Sequence, residues 1–308
     1  MSRIKVIINP IAGRGYAGKV TPLIDREFAA QGADYSLVQT KVAGDAVRLA
    51  REARDDGYDV VVAVGGDGTS HEVINGLADG MNGAMLGTIG CIPAGSGNDF
   101  AVMSGAPTDI PAAVRMIVEG RTRVQDLGRV TVDDKVTRYF DNAVGIGFDG
   151  VVTVVGKRFK RLRGLPLYIP VVLRTIFVDM VPPRVRIDVD GEIFEQTTLM
   201  TAVCNGPREG GAFMVSPEAK TDDGLFDVMM VETMPRLQML AMVPRFLSGT
   251  HVNDPRCRIV RGKHVTVTSP DRLYLHADGE LLTEYAHKVE ATMAAARLRI
   301  IAPADGAN

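Results

Sequence analysis

Four short runs, at 4–8, 35–40, 60–64 and 85–92, consist almost wholly of β-branched and other apolar residues. Stretches with apolar residues at helical spacing, at 19–31, 44–56 and 70–78, lie between them, and another follows Pro107 at 109–119. A strand without polar alternation has to be covered on both faces, and the intervening helices supply the covers. The pattern therefore predicts β-α units on a mostly parallel sheet. In open sheets of this kind ligands bind beyond the carboxyl ends of the strands, so the segments just after the strands carry the functional weight. Three of these segments are rich in glycine.

The first, Asn9-Pro10-Ile11-Ala12-Gly13-Arg14-Gly15-Tyr16-Ala17-Gly18-Lys19, satisfies both G-x-G-x-x-G and G-x-x-x-x-G-K. Both matches are incomplete. The second strand ends in Gln39-Thr40, without an acid to hold a ribose, and Val20 stands where a Walker loop needs Ser or Thr. The second loop is Gly65-Gly66-Asp67-Gly68-Thr69, running straight from a buried strand into a helix. Glycines admit a phosphate, helix-start N–H groups favour its charge, and Thr69 can cap the helix or bond a phosphate oxygen. Asp67 beside a phosphate is repulsive unless a cation intervenes, which points to magnesium. The third loop, Pro93-Ala94-Gly95-Ser96-Gly97-Asn98-Asp99-Phe100-Ala101, also opens a helix. Ala94 stands where a G-x-S-x-G elbow centred on Ser96 needs glycine, so a hydrolase nucleophile is disfavoured. Ser96 and Asn98 suit nucleotide contacts, and helix capping by Asn98 is the plainer alternative.

From about residue 123 the texture changes to β-rich segments at 123–132, 136–143, 184–189, 193–204 and 225–231, then 258–259, 264–268, 272–276 and 288–291. One helical interlude lies at 235–247. Asp133-Asp134 and Asp190-Gly191 read as hairpin turns. The expected organisation is an α/β domain over 1–122 and a mainly antiparallel β domain over 123–294, with a final strand at 295–303 returning to the first. A net charge of −2 gives no electrostatic reason to expect nucleic acid. Three scattered cysteines and the lack of a signal-peptide pattern or an uninterrupted apolar span fit a reduced, cytoplasmic setting. The five histidines show no metal-binding spacing.

In order, Asn9-Pro10 with Gly13, Thr40, the segment 65–69 and the string 93–101 resemble the diacylglycerol kinase catalytic-domain family. NAD kinases share the Gly-Gly-Asp-Gly element, whereas the longer Gly-Ser-Gly-Asn-Asp-Phe-Ala string resembles diacylglycerol and sphingosine kinases. The likeness continues through 140–149, Cys204-Asn205-Gly206 with Gly210-Gly211, 222–227 and Asp278-Gly279-Glu280. It implies a Rossmann-like nucleotide-binding domain followed by a β-sandwich, and an ATP-dependent kinase acting on a lipid hydroxyl such as that of diacylglycerol. It implies ATP contacts at Asn9, Arg14, Thr40, Gly65, Gly66, Asp67, Gly68, Thr69, Ser70, His71, Glu72, Gly95, Ser96, Gly97 and Asn98, with Asp67 near the catalytic Mg2+. Lys220, Asp223 and Leu225 correspond to a structural magnesium site, Lys220 through its main chain alone. Glu280 is the implied proton acceptor and Asp278 its rival; read without the resemblance, Asp278-Gly279-Glu280 is a hairpin turn.

These residues belong to different predicted domains, so ATP and acceptor are expected to meet between them. Lys157, Arg158, Lys160, Arg161 and Arg163 precede the apolar run 165–177, a pattern suited to transient contact with an anionic membrane surface. A solvated charged helix is the alternative. The acceptor lipid stays open, as do a homodimer, an NAD kinase-like activity and a nucleotide-binding module without catalysis.

Overall fold

The structure is a computed structural model and describes residues 2–80, 85–156 and 165–303. The chain forms two compact units, one of Met1–Asp126 with Ala295–Asn308 and the other of Leu127–Ala294. It leaves the first unit within β5 (Thr122–Val132) and returns within the long β13 (Glu280–Ile301).

In the first unit β1 (Arg3–Ile8), β2 (Asp34–Gln39), β3 (Val60–Gly65) and β4 (Met85–Pro93) join the end of β13 in the order β13-β4-β3-β1-β2. Every pairing is parallel. All six residues of β3 are buried, as a central strand covered on both faces requires. On one face Ile4, Val6, Ile8, Val60, Val62 and Val64 pack with Ile24 and Phe28 of α1 (Ala12–Ala30) and Val114 and Ile117 of α5 (Ile110–Glu119). Helices α2 (Asp45–Asp55) and α3 (Asp67–Ala78) pack on each other at Gly76, where any Cβ would collide with the Val47 carbonyl. The parallel arrangement brings Asn9, Thr40, Gly66 and Ala94 to one edge of the sheet.

The second unit is antiparallel. In it β11 (Cys257–Gly262), β10 (Phe226–Glu232), β9 (Glu192–Cys204), β7 (Ala143–Gly147), β12 (His264–Ala277) and the start of β13 pair in that order. β9 and β12 pair with β8 (Arg184–Val189) at one end and with β7 at the other, and β5 pairs with β6 (Val136–Phe140). Between the strands lies a core of Phe140, Ile146, Ile187, Phe226, Leu273 and Leu275. A second apolar cluster joins Met200, Ala202 and Met229 to Val151 and Val155 of α6 (Phe148–Gly156), Val171 and Val172 of α7 (Leu165–Arg174) and Met239 and Met242 of α8 (Arg236–Ser248).

The mixed α/β first unit and the β-sandwich second unit agree with the fold expected from the sequence. Three local expectations need correction. Helix α6 occupies a stretch for which the sequence predicts no helix. The segments 264–268 and 272–276 are one strand carrying a register shift around Pro270, and 288–291 and 297–301 belong to the single β13. Lys157, Arg158, Lys160, Arg161 and Arg163 lie outside the described residues. Among the described residues no helix is long and apolar enough to cross a membrane.

Candidate active site

The three glycine loops of the first unit are knitted together by backbone contacts. Asp67 accepts the Asn98 amide through Oδ2 at 2.7 Å and the Phe100 amide through Oδ1 at 3.1 Å. Its carboxylate thus sits at the start of α4 (Asp99–Ser104), where negative charge and N–H donors attract. Ala94 donates its amide to the Gly65 carbonyl at 2.7 Å, and Asn9 donates through Nδ2 to Thr69 Oγ1 at 3.2 Å. Asn98 does not cap its helix, since its Oδ1 accepts from Gly95 N–H at 2.9 Å.

The glycines serve this packing. A Cβ on Gly95 would collide with Gly66 Cα, and one on Gly13 with the Ala94 carbonyl. Gly13, Arg14 and Gly15 all have positive φ, so the first loop departs from helical geometry and leaves Arg14 exposed. Ser96 is also exposed, whereas Thr69, Ser70 and His71 are buried. Glu72 turns toward α2, where its carboxylate accepts from Gly44 N–H at 2.9 Å and Ala46 N–H at 3.1 Å. Thr40 follows β2 and donates its amide to the Ile8 carbonyl at 2.9 Å.

In the second unit Asp278 and Gly279 form the tight turn between β12 and β13, with φ of 49° and 77° and Ala277 paired to Glu280. Asp278 is buried. Its Oδ1 accepts from Asn142 N–H at 3.0 Å and Ala143 N–H at 3.1 Å, and its Oδ2 accepts from Asp141 N–H at 3.2 Å. Asn205, fully buried, supports the same segment by donating Nδ2 to the Asp141 carbonyl at 2.7 Å. Glu280, the first residue after the turn, is exposed.

Under this turn lies a group that motif reading did not single out. His276, 1% exposed, places Nε2 at 3.1 Å from Asp149 Oδ2 and Nδ1 at 3.2 Å from Glu209 Oε1. Burial opposes a charge on Asp149, yet the adjacent His276 holds its carboxyl below the usual carboxylate range. Two carboxylic residues flanking one imidazole can be found only once β12, α6 and the segment after β9 are assembled.

Lys220, Asp223 and Leu225 sit elsewhere in this unit. Asp223 Oδ1 accepts the Leu225 amide at 3.1 Å, and its other oxygen pairs with Arg261, which also reaches Asp227 at 3.0 Å. Lys220 is exposed.

Residues 3–130 match the family model described as the diacylglycerol kinase catalytic domain, and residues 142–302 match the YegS C-terminal NAD kinase beta sandwich-like domain. A diacylglycerol kinase of Bacillus subtilis (strain 168) is 31% identical over 282 residues, covering 91% of this chain and 90% of its own. One from Mycobacterium tuberculosis (strain ATCC 25618 / H37Rv) is 30% identical over 308 residues, covering 99% and 97%. The crystal structure of a diacylglycerol kinase from Bacillus anthracis str. Sterne shares the fold, with a TM-score of 0.73 at 24% identity over 98% of this chain and 97% of that one. With both of its parts matched and near-full-length relatives at this identity, the chain belongs to the diacylglycerol kinase catalytic-domain family.

Proposed function

We propose that this protein transfers the γ-phosphate of ATP to a hydroxyl of a lipid of the diacylglycerol class, with Glu280 as proton acceptor. The supporting observation is the set of loops at one edge of a parallel sheet, drawn together by Asp67, in a chain whose curated relatives are named diacylglycerol kinases. In this reading Asn9, Arg14, Thr40, Gly65, Gly66, Gly68, Thr69, Ser70, His71, Gly95, Ser96, Gly97 and Asn98 form or support the ATP site. Glu72 acts from behind, by fixing the start of α2. Magnesium, when bound with ATP, offsets negative charge on the phosphates. Asp67 fits beside it, because the two amide bonds hold a carboxylate charge at the loops. Lys220, Asp223 and Leu225 would hold a structural magnesium ion, Lys220 through its main-chain carbonyl. In this structure Asp223 pairs with Arg261, and no step of the transfer passes through that site.

Phosphoryl transfer asks the protein mainly for alignment and charge compensation. The loops of the first unit orient the donor, and Glu280 removes the hydroxyl proton as the new P–O bond forms. The test is incubation of the purified protein with γ-labelled ATP and either a total lipid extract or NAD. Label is expected in a lipid phosphate and absent from NAD; label in NAD alone overturns the reading.

Gly95→Ala is expected to separate the second and third loops, because the new methyl meets the backbone of Gly66 and no flexible side chain can yield. Overpacking of this kind costs ~1–3 kcal/mol. We expect roughly tenfold weaker ATP binding by calorimetry, about 1.4 kcal/mol, and unchanged affinity would rule out a role for loop contact.

The reading also includes transient membrane contact. Leu173, Phe177, Val178 and Val181, at or just after the end of α7, are 40%, 42%, 65% and 82% exposed, while the interspersed Ile176 and Met180, and Val172 before them, are buried. Replacing both Phe177 and Val178 by Asp is expected to lower co-sedimentation with phosphatidylglycerol-containing vesicles by about tenfold or more, since a fully buried apolar side chain is worth ~1.5–3 kcal/mol. Undiminished sedimentation excludes this face.

A further inference from the structure

The buried His276 group can be read in two chemically distinct ways. Asp149, Glu209 and His276 offer ligand atoms within 4.8 Å of one another, which would suit a metal ion. The backbone decides against it. Gly279 N–H points at His276 Nδ1 from 3.2 Å, and an amide nitrogen can only donate, so Nδ1 must accept. A neutral ring then carries its proton on Nε2, facing Asp149, and has no lone pair there for a cation. A ring bound to metal through Nε2 would carry hydrogen on Nδ1 and set it against the Gly279 amide.

We propose that His276 is a positioning residue for the proton-accepting turn. Its Nδ1 anchors the Gly279 amide and thereby sets the direction in which Glu280 leaves the turn, while Asp149, 3.1 Å from Nε2, faces the other side of the ring. The proposal rests on the kinase reading for its effect on rate, but the hydrogen bond itself does not. Two features support it. His276 lies opposite Gly145 in the β7–β12 ladder, and a Cβ on Gly145 would strike both His276 Nε2 and Asp149 Oδ2, so this strand position leaves room for the ring and carboxylate together. Both flanking residues of Gly279 are also constrained, Asp278 by three backbone amides and Glu280 by its pairing with Ala277. The amide bond to His276 ties down the remaining member of the turn.

The test compares His276→Asn, His276→Gln and His276→Leu in the full chain, assayed with γ-labelled ATP and total lipid extract. Asn presents an oxygen close to the position of Nδ1, Gln extends toward that of Nε2, and Leu offers no acceptor. Misplacement of a reacting group by about 1 Å can cost on the order of 10²-fold. The expected result is kcat within about threefold of the parent for Asn and a loss of about 10–100-fold for Gln and Leu, with KM for ATP unchanged in all three. Equal losses in all three would make His276 a packing residue only, and no loss in any would remove its role; either overturns the proposal. Nitrogen-15 spectroscopy of the unsubstituted protein supplies a readout free of turnover and of variant folding. It is expected to show the Nε2–H tautomer, and an Nδ1–H or doubly protonated ring overturns the proposal. Should the unsubstituted protein phosphorylate no lipid, the kinase reading falls while the tautomer still decides the anchoring contact.

Discussion

Glu280→Gln is expected to lower kcat on the lipid acceptor by about 10²–10⁴-fold, the range that a positioned general base contributes. The two carboxylates of the Asp278-Gly279-Glu280 turn differ in what protonation would cost. Asp278 is buried and accepts three backbone amides, so taking up a proton there would disturb native bonds. Glu280 is exposed at the first position of β13 and can accept a proton from substrate without such a loss. Glutamine preserves shape and hydrogen-bonding reach but cannot act as a base. Because the site is exposed, stability should change by no more than about 0.5 kcal/mol. KM for ATP should be unaltered, since the proposed ATP contacts all belong to the other unit. A stable, ATP-binding, inactive protein is the expected product. Undiminished turnover would remove Glu280 from the chemistry.

The parallel sheet is legible because its strands are apolar runs covered on both faces. Val60–Gly65 has no alternation to confuse with another period. Helix α6 is not legible for the opposite reason. Val151, Val152, Thr153, Val154 and Val155 have strand propensity, and burial of Val151 and Val155 against Met200 and Ala202 overrides it. β13 reads as two fragments because Ala291, Ala294, Ala295 and Ala296 favour a strand weakly, although β13 as a whole pairs with β12, β5 and β4 and runs unbroken through them. At the candidate site, loop positions follow from the strand ends, but the reason for their glycines does not. Spacing suggests room for a phosphate, whereas Gly66 and Gly95 serve contact between two backbones. His276, Asp149 and Glu209 come together from distant segments, so no local spacing announces them.

Asp278→Asn should separate structure from chemistry at the neighbouring carboxylate. The substitution leaves the turn's backbone preference intact, because Asn tolerates the left-handed conformation that Asp278 adopts at φ 49°. What changes is the acceptor set. If the Asn oxygen takes the place of Oδ1, the Asn142 and Ala143 amides keep an acceptor while the new NH₂ faces the Asp141 amide, donor against donor. One buried amide loses its partner and two lose the assistance of a full charge. Hydrogen bonds to charged groups are worth ~1.5–3 kcal/mol, and an unsatisfied buried donor costs ~1–3 kcal/mol. The sum is about 2.5–6 kcal/mol, which at ~2–4 °C per kcal/mol for a chain portion of this size lowers Tm by on the order of 5–25 °C. Calorimetry or circular dichroism on heating gives the answer. A variant that melts normally yet turns over about 10²–10⁴-fold more slowly would exchange the roles of the two acids and make Asp278 the base.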